Sequence, residues 1–251
     1  MASALRLHEV VLSLGARPLI GPLDLSVAPG EVVTLMGPSG CGKSSLLAFV
    51  CGTLDPAFQV RGQVFLDRDE VTTLPPERRR IGILFQDDLL FPHLSVAENL
   101  AFGLPPEHRG AERRARILAA LAEADLEGFA ERDPATLSGG QRARIALLRT
   151  LLAAPRALLL DEPFSKLDAR LRDRVRRFVF EHARRNRLPT LMVTHDPADA
   201  EAAGGAVFEI CVGEAGRGLR DAPESPAPGS RAPGSPAPES PAPLRPLGLK
   251  R

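Results

Sequence analysis

Residues 31–45 read EVVTLMGPSGCGKSS, and the rest of the chain is interpretable from that stretch. EVVTLM is a short apolar run of the kind that forms a strand buried on both faces. GPSGCGKS fits G-x-x-x-x-G-K-[ST], with glycines, lysine and serine at the required offsets. The residues from Lys43 to about Cys51 then read as a helix. Strand, glycine-rich turn and helix in this order form a site for phosphate. Backbone N–H groups and the positive helix end meet the anion, the lysine supplies charge, and the serine hydroxyl reaches a magnesium ion. On this reading Gly37, Pro38, Ser39, Gly40, Cys41, Gly42, Lys43, Ser44 and Ser45 line a nucleotide site, with Ser44 also a metal ligand.

Such a loop needs a carboxylate on the metal side. ALLLDEP, residues 157–163, is an apolar strand emptying into Asp161, placed for the metal shell, with Glu162 beyond it to orient or deprotonate a water. An isolated Asp-Glu pair at a strand end is ordinarily a solvated turn; beside a phosphate loop the catalytic reading is the stronger one. Between the two lies LSGGQ, residues 137–141, followed by RARIALLRTLLAAP. A Ser-Gly-Gly turn opening an amphipathic helix is a second place built to hold an anion.

Composition bounds the function. The chain has 251 residues, 44% hydrophobic and 25% charged, enough for one large domain or two small ones. Lys plus Arg is 32 against 31 for Asp plus Glu, a net charge of +1, which argues against duplex nucleic acid as a partner. The basic residues of 169–187 read as a solvated helix face in preference to a binding patch. Cys41, Cys51 and Cys211 are an odd number without metal-ligand spacing, so a reducing cytoplasm is expected, with neither disulfides nor zinc. The first fifteen residues lack the apolar core of a signal peptide, and no apolar run approaches the ~18 residues of a membrane span.

Periodicity gives the layout. Residues 5–27 alternate apolar and polar around a Gly-Ala-Arg-Pro turn, a hairpin-like sheet; residues 63–66 and 81–85 are further strands. Residues 95–102 and 112–125 read as helices. Then strand 157–160, helix 168–187, strand 190–193 and a short helix after Asp196 alternate, which predicts a parallel, helix-covered sheet with an inserted helical subdomain. From Ala222 the chain repeats as APESP, APGSR, APGSP, APESP, APLRP, expected to be disordered and solvated, or else a Pro-motif ligand for a binding module.

Phosphate loop, LSGGQ and LLLDEP in this order resemble the ATP-binding cassette (ABC) family over about residues 5–212. The resemblance implies an α/β fold: a P-loop NTPase (RecA-like) core with an N-terminal antiparallel β subdomain and a helical subdomain at about 87–155. It gives the cassette residues 1–212 and leaves 213–251 as a Gly/Pro-rich tail. ATP and Mg²⁺ are the implied ligands. The family's pattern picks out Gln86 in ILFQDD as the glutamine that senses the metal and the attacking water, residues 165–168 (SKLD) as a loop crossing a dimer interface, and His195 in MVTHD as the γ-phosphate contact. The implied catalytic set is Lys43, Gln86, Glu162 and His195, and the metal set is Ser44, Gln86 and Asp161. In this family two cassettes pack head to tail, so Ser138, Gly139, Gly140 and Gln141 of one cap the ATP held by the other, and ATP acts as reversible glue.

The chain departs from the family where adenine stacks on an aromatic of an early strand. Alignment on Ser-x-Gly puts Leu14 there, the chain has no Tyr or Trp, and its first Phe is Phe49. Leu14 is therefore expected to give only an apolar shelf, with weaker ATP binding and poor discrimination against GTP; the lost stacking is worth about 0.5 to 1.5 kcal/mol. The short length resembles single-domain cassettes without a regulatory β-domain. Residues 74–104 are similar to importer cassettes for thiamine, iron, molybdate and polyamines, in which the equivalent of residues 89–93 receives a helix of a membrane subunit. The resemblance thus implies a homodimeric ATPase on the cytoplasmic face of the membrane, docked on permease subunits, served by a solute-binding protein and powering import. An exporter cassette and a soluble ABC ATPase acting on DNA or ribosomes are the alternatives; a module that binds without hydrolysing fits poorly with Lys43, Asp161, Glu162 and His195 all present.

Overall fold

A computed structural model describes residues 4–85, 87–210 and 219–221. Gln86, Cys211 and the repeats from Ala222 onward lie outside the described residues. The alternation at the N-terminus becomes β1 (Leu5–Leu14) and β2 (Arg17–Val27), an antiparallel pair whose buried positions include Leu5, Leu7, Val10 and Leu12 against Leu23, Leu25 and Val27. After β3 (Val32–Met36) and α1 (Lys43–Cys51), β4 (Phe58–Leu66) returns to pair antiparallel with β1, and β5 (Asp69–Glu70) completes a four-stranded sheet ordered β2-β1-β4-β5. α2 (Pro76–Arg79) and β6 (Ile81–Leu84) lead into three helices, α3 (Val96–Gly103), α4 (Gly110–Glu123) and α5 (Gly139–Leu152). The chain then alternates through β7 (Ala157–Asp161), α6 (Ala169–Arg185), β8 (Thr190–Val193), α7 (Pro197–Ala203) and β9 (Val207–Ile210), with β10 (Leu219–Asp221) pairing back on β9. β10 falls inside the segment that the sequence reading assigns to the tail, where it adds an antiparallel edge strand. Neither β9 nor β10 is legible in the sequence: VFEI carries a glutamate within it and LRD is only three residues long.

The second sheet is ordered β10-β9-β3-β8-β7-β6, with β9, β3, β8, β7 and β6 parallel. Its central strands β3, β8 and β7 are buried and mostly apolar because both faces are covered. Val33, Leu35, Leu159, Leu191 and Val193 face α1 and the first sheet, while Val32, Leu158, Leu160 and Met192 face α5, α6 and α7. Each such side chain contributes about 1.5–3 kcal/mol on full burial.

The helices between β6 and β7 have a core of their own, with Val96, Leu100, Ile117, Leu121, Leu137, Ile145 and Leu148. α5 differs from the single-striped amphipathic helix expected from its sequence. Ile145, Ala146, Leu147 and Leu148 are all buried, Ile145 and Leu148 in the helical core, Ala146 and Leu147 beneath the parallel sheet. α5 therefore joins the two parts rigidly.

The phosphate-loop helix is fixed at its far end by Arg79. That buried guanidinium donates to Phe49 O (2.7 Å), Val50 O (2.9 Å) and Leu74 O (2.8 Å), and to Thr72 O. The cation thus sits at the negative end of α1 and satisfies its last carbonyls. Gly52 is required there, since at φ +89° a Cβ would lie 2.7 Å from Arg79 Nε. The basic face expected of α6 is exposed at Arg174, Arg177, Arg184 and Arg185, but Arg176 departs from that reading and is buried.

Candidate nucleotide site

The chain order β3, β7, β8 becomes the spatial order β3-β8-β7, and that places three loops side by side at the carboxyl ends of the parallel strands. Ligand sites of open α/β sheets form at this edge. Loop 37–42 runs from β3 into α1, residues 162–168 follow β7, and residues 194–196 follow β8.

In the first loop, Pro38, Ser39 and Gly40 are exposed while Cys41 and Lys43 are buried. Cys41 fills the core beneath the loop as a small apolar group. Lys43 Nζ donates to Gly37 O at 2.8 Å and Pro38 O at 2.9 Å, so the loop's own carbonyls hold the ammonium across it. Ser44 Oγ donates to Asp161 Oδ1 at 3.0 Å, joining the start of α1 to the end of β7. Burial pushes the Asp161 carboxyl above the ordinary aspartate range, against the Ser44 hydrogen bond, and the Glu162 carboxylate adds to the rise. An alcohol and a carboxylate oxygen converging beside a phosphate loop are the donor set that suits Mg²⁺, which takes one or two protein ligands and leaves its other positions to phosphate and water.

Glu162 has φ +47°, a left-handed conformation that costs a non-glycine residue about 1 kcal/mol or more. Its N–H donates to Val193 O at 2.9 Å, and its carbonyl accepts from Ser165 Oγ at 2.9 Å, so the end of β8 and its own loop hold the strained residue. Its Oε1 lies 3.1 Å from His195 Nδ1. The His195 side chain is 66% exposed against 22% for Glu162, so the ring stands at the surface and the carboxylate beneath it.

Residues 138–141 form a second unit, closed locally at the start of α5. Ser138 caps α5 and forms a capping box: Gln141 N donates to Ser138 Oγ at 3.3 Å, and Ser138 N to Gln141 Oε1 at 2.9 Å. A Cβ at Gly140 would meet Leu171 Cδ2 at 2.6 Å, whereas at Gly139 the nearest atom would be 3.9 Å away. Gly140 is needed for packing on α6; Gly139 opens outward.

Two features of the surroundings escape sequence reasoning. Leu14, 45% exposed at the tip of β1, has Phe58 directly opposite on β4. Opposed residues share a sheet face, so an aromatic stands beside the leucine shelf although β1 itself has none. The spacing of 44 residues between them carries no local signal. The second is Asn99, fully buried in α3. Its Oδ1 accepts from Phe91 N at 2.8 Å and its Nδ2 donates to the carbonyls of Phe91, Leu94 and Ser95 at 3.1, 3.1 and 3.0 Å. It clamps residues 91–95, beside which a groove of about 440 Å³ opens between Asp87, Leu89, Pro92, Pro134 and Lys166.

The ABC transporter family matches residues 20–165. The chain is 50% identical over 194 residues to an uncharacterised ABC transporter ATP-binding protein of Escherichia coli, YnjD, covering 77% of this chain and 89% of the relative. It is 42% identical over 209 residues to the Fe(3+) ions import ATP-binding protein FbpC of Vibrio cholerae, covering 83% of this chain but only 59% of that longer relative. The dimeric, post-hydrolysis structure of the ATP-binding cassette MJ0796 bound to ADP and Pi superposes with a TM-score of 0.71 at 31% identity, over 82% of this chain and 93% of that one.

Proposed function

The chain belongs to the ABC transporter family and carries its ATPase cassette, and from that premise we propose that it works as a pair, docks on membrane permease subunits and powers import of a solute delivered by a binding protein. The observation that carries this reading is the division of the chain into two half-sites. Lys43, Ser44, Asp161, Glu162 and His195 gather at one sheet edge, while residues 138–141 form a separately capped turn packed on α6. A half-site of each kind on every chain is what a head-to-tail pair needs, and the relative of known structure is dimeric.

Within a site, loop 37–45 binds the phosphates and Lys43 supplies charge to them. Ser44 and Asp161 would hold Mg²⁺, which when bound neutralises charge developing on the phosphate oxygens. Glu162 takes the proton of the attacking water, and the Nδ1 contact of His195 holds that carboxylate while the ring faces the γ-phosphate. Gln86, outside the described residues, is the remaining member of the catalytic and metal sets. Leu14, with Phe58 beside it, shelves the base. From the partner, Ser138 and the first amides of α5 close over the γ-phosphate, and hydrolysis releases them.

The groove beside residues 89–93 receives a permease helix on the cytoplasmic face of the membrane. No described helix is long and apolar enough to cross a membrane. Import is favoured over export by the iron-import relatives, and the solute is chosen by the permease. Purification of tagged protein from native membranes in mild detergent, with mass spectrometry of what co-elutes, tests the reading. Polytopic membrane proteins and a binding protein are expected; elution alone, or with ribosomes or DNA, overturns the transport assignment and leaves the ATPase.

A further inference from the structure

The loop carrying His195 is held by a charged network that the chemistry above does not use. Arg176 and Asp199 are buried, at 6% and 3% exposure. Arg176 Nε donates to Asp199 Oδ1 at 2.6 Å, its Nη1 to Asp173 at 3.1 Å and its Nη2 to Asp196 Oδ2 at 3.0 Å. Thr194 Oγ1 donates to Asp199 Oδ2 at 2.7 Å and accepts from Asp196 N at 3.1 Å. The two residues flanking His195 are thereby fixed, one through a hydroxyl and the other through a carboxylate whose second oxygen accepts from Ala198 N at the start of α7 (2.9 Å). One turn before Arg176, Arg172 reaches in two directions: Nη1 donates to Asp196 Oδ2 at 3.2 Å and Nη2 to Leu167 O at 3.0 Å. Its Nε is buried with no hydrogen-bond partner among the described residues.

Buried ion pairs lose much of their attraction to desolvation and are weak evidence for stability alone. What this one does is set geometry. His195 is exposed on a short loop, with Glu162 beside its ring, so its orientation depends on Thr194 and Asp196. We propose that Arg172 is a positioning residue for ATP hydrolysis: through Asp196 it sets His195 against Glu162, and through Leu167 it ties that setting to residues 165–168. The proposal rests on the role given to His195 above. A cavity of about 90 Å³ lies between these loops, bounded by Glu162, Ser165, Arg172, His195 and Asp196, and Arg172 is a polar bridge across it. A displacement of residues 165–168, the segment assigned to the interface between paired cassettes, is transmitted through the planar guanidinium, whose fork spans both acceptors as a single ammonium does not.

The test is a double-mutant cycle of steady-state ATP hydrolysis in the full chain, with ATP binding and thermal unfolding of each variant as controls. Arg172→Met is expected to lower kcat about tenfold with KM for ATP within about twofold, since misplacement of a catalytic group costs rate and spares ground-state binding. Arg172→Lys is expected to recover only part of that loss. In a His195→Ala background, read as residual hydrolysis over long incubations, Arg172→Met should cost less than about twofold, because the group it positions is gone. An undiminished loss in that background shows that Arg172 acts through general structure and overturns the proposal. So does wild-type kcat for Arg172→Met. If His195→Ala by itself keeps wild-type turnover, the role of His195 fails first and the proposal falls with it.

Discussion

The two turns proposed to bind phosphate are built in opposite ways. Residues 138–141 form a closed local unit: Ser138 and Gln141 satisfy each other across one helical turn, and Gly140 is small because α6 lies against it. The cluster proposed as catalytic is complete only through long-range pairing. Ser44 meets Asp161 across 117 residues, and Glu162 depends on Val193 and His195. A local unit folds wherever its helix folds but has no substrate of its own; an assembled unit has the chemistry but needs the sheet in register. The head-to-tail pairing proposed above would give each what it lacks.

The assembled unit is broken most completely at Glu162. Glu162→Gln keeps shape and hydrogen bonding but removes the base, so turnover should fall about 10²–10⁴-fold while ATP is retained and the pair accumulates. Phosphate release and size-exclusion chromatography in ATP check both parts, and near-normal hydrolysis would refute the assignment. The dependence of one unit on the other is sharpened by mixing Lys43→Ala with Ser138→Arg chains, each inactive alone. Half of the randomly formed pairs join one chain of each kind and retain one working site of two, so about a quarter of wild-type activity should return. No recovery would count against the head-to-tail arrangement.

Asn99→Leu probes a long-range clamp away from chemistry. It removes the acceptor of the half-buried Phe91 N–H, while Phe91 O keeps the Leu94 N–H at 3.3 Å, and should lower stability by about 1–3 kcal/mol in urea. Turnover of the isolated cassette should be unchanged. The smallest effect belongs to the base shelf: Phe58→Ala should weaken ATP binding by about 0.5–1.5 kcal/mol, measured by titration, and GTP by as much if the shelf reads only apolar surface.

The same contrast explains what was legible. α1 and β8 fall where their sequences put them, Lys43–Cys51 and Thr190–Val193, because an apolar period and a glycine stop are local properties. α5 departed from the amphipathic helix expected after residues 137–141: wedged between two cores, it has no single apolar face. Arg176 looked like one more exposed arginine until α7 brought Asp199 to it. Phe58 had no motif, since its meaning is its register opposite Leu14.

The sequence alone determined the phosphate loop, the carboxylates at the end of β7 and just beyond it, the capped turn before α5 and the membership these imply. Each is a demand on the backbone within a few residues, where glycine, a capping hydroxyl or a strand end leaves little choice. Only the tertiary structure decided which distant groups share a hydrogen bond: Ser44 with Asp161, Asn99 with residues 91–95, Arg172 with Leu167 and Asp196. Those partners are set by strand order and helix packing, and a side chain's local sequence says that it needs a partner without saying which one arrives.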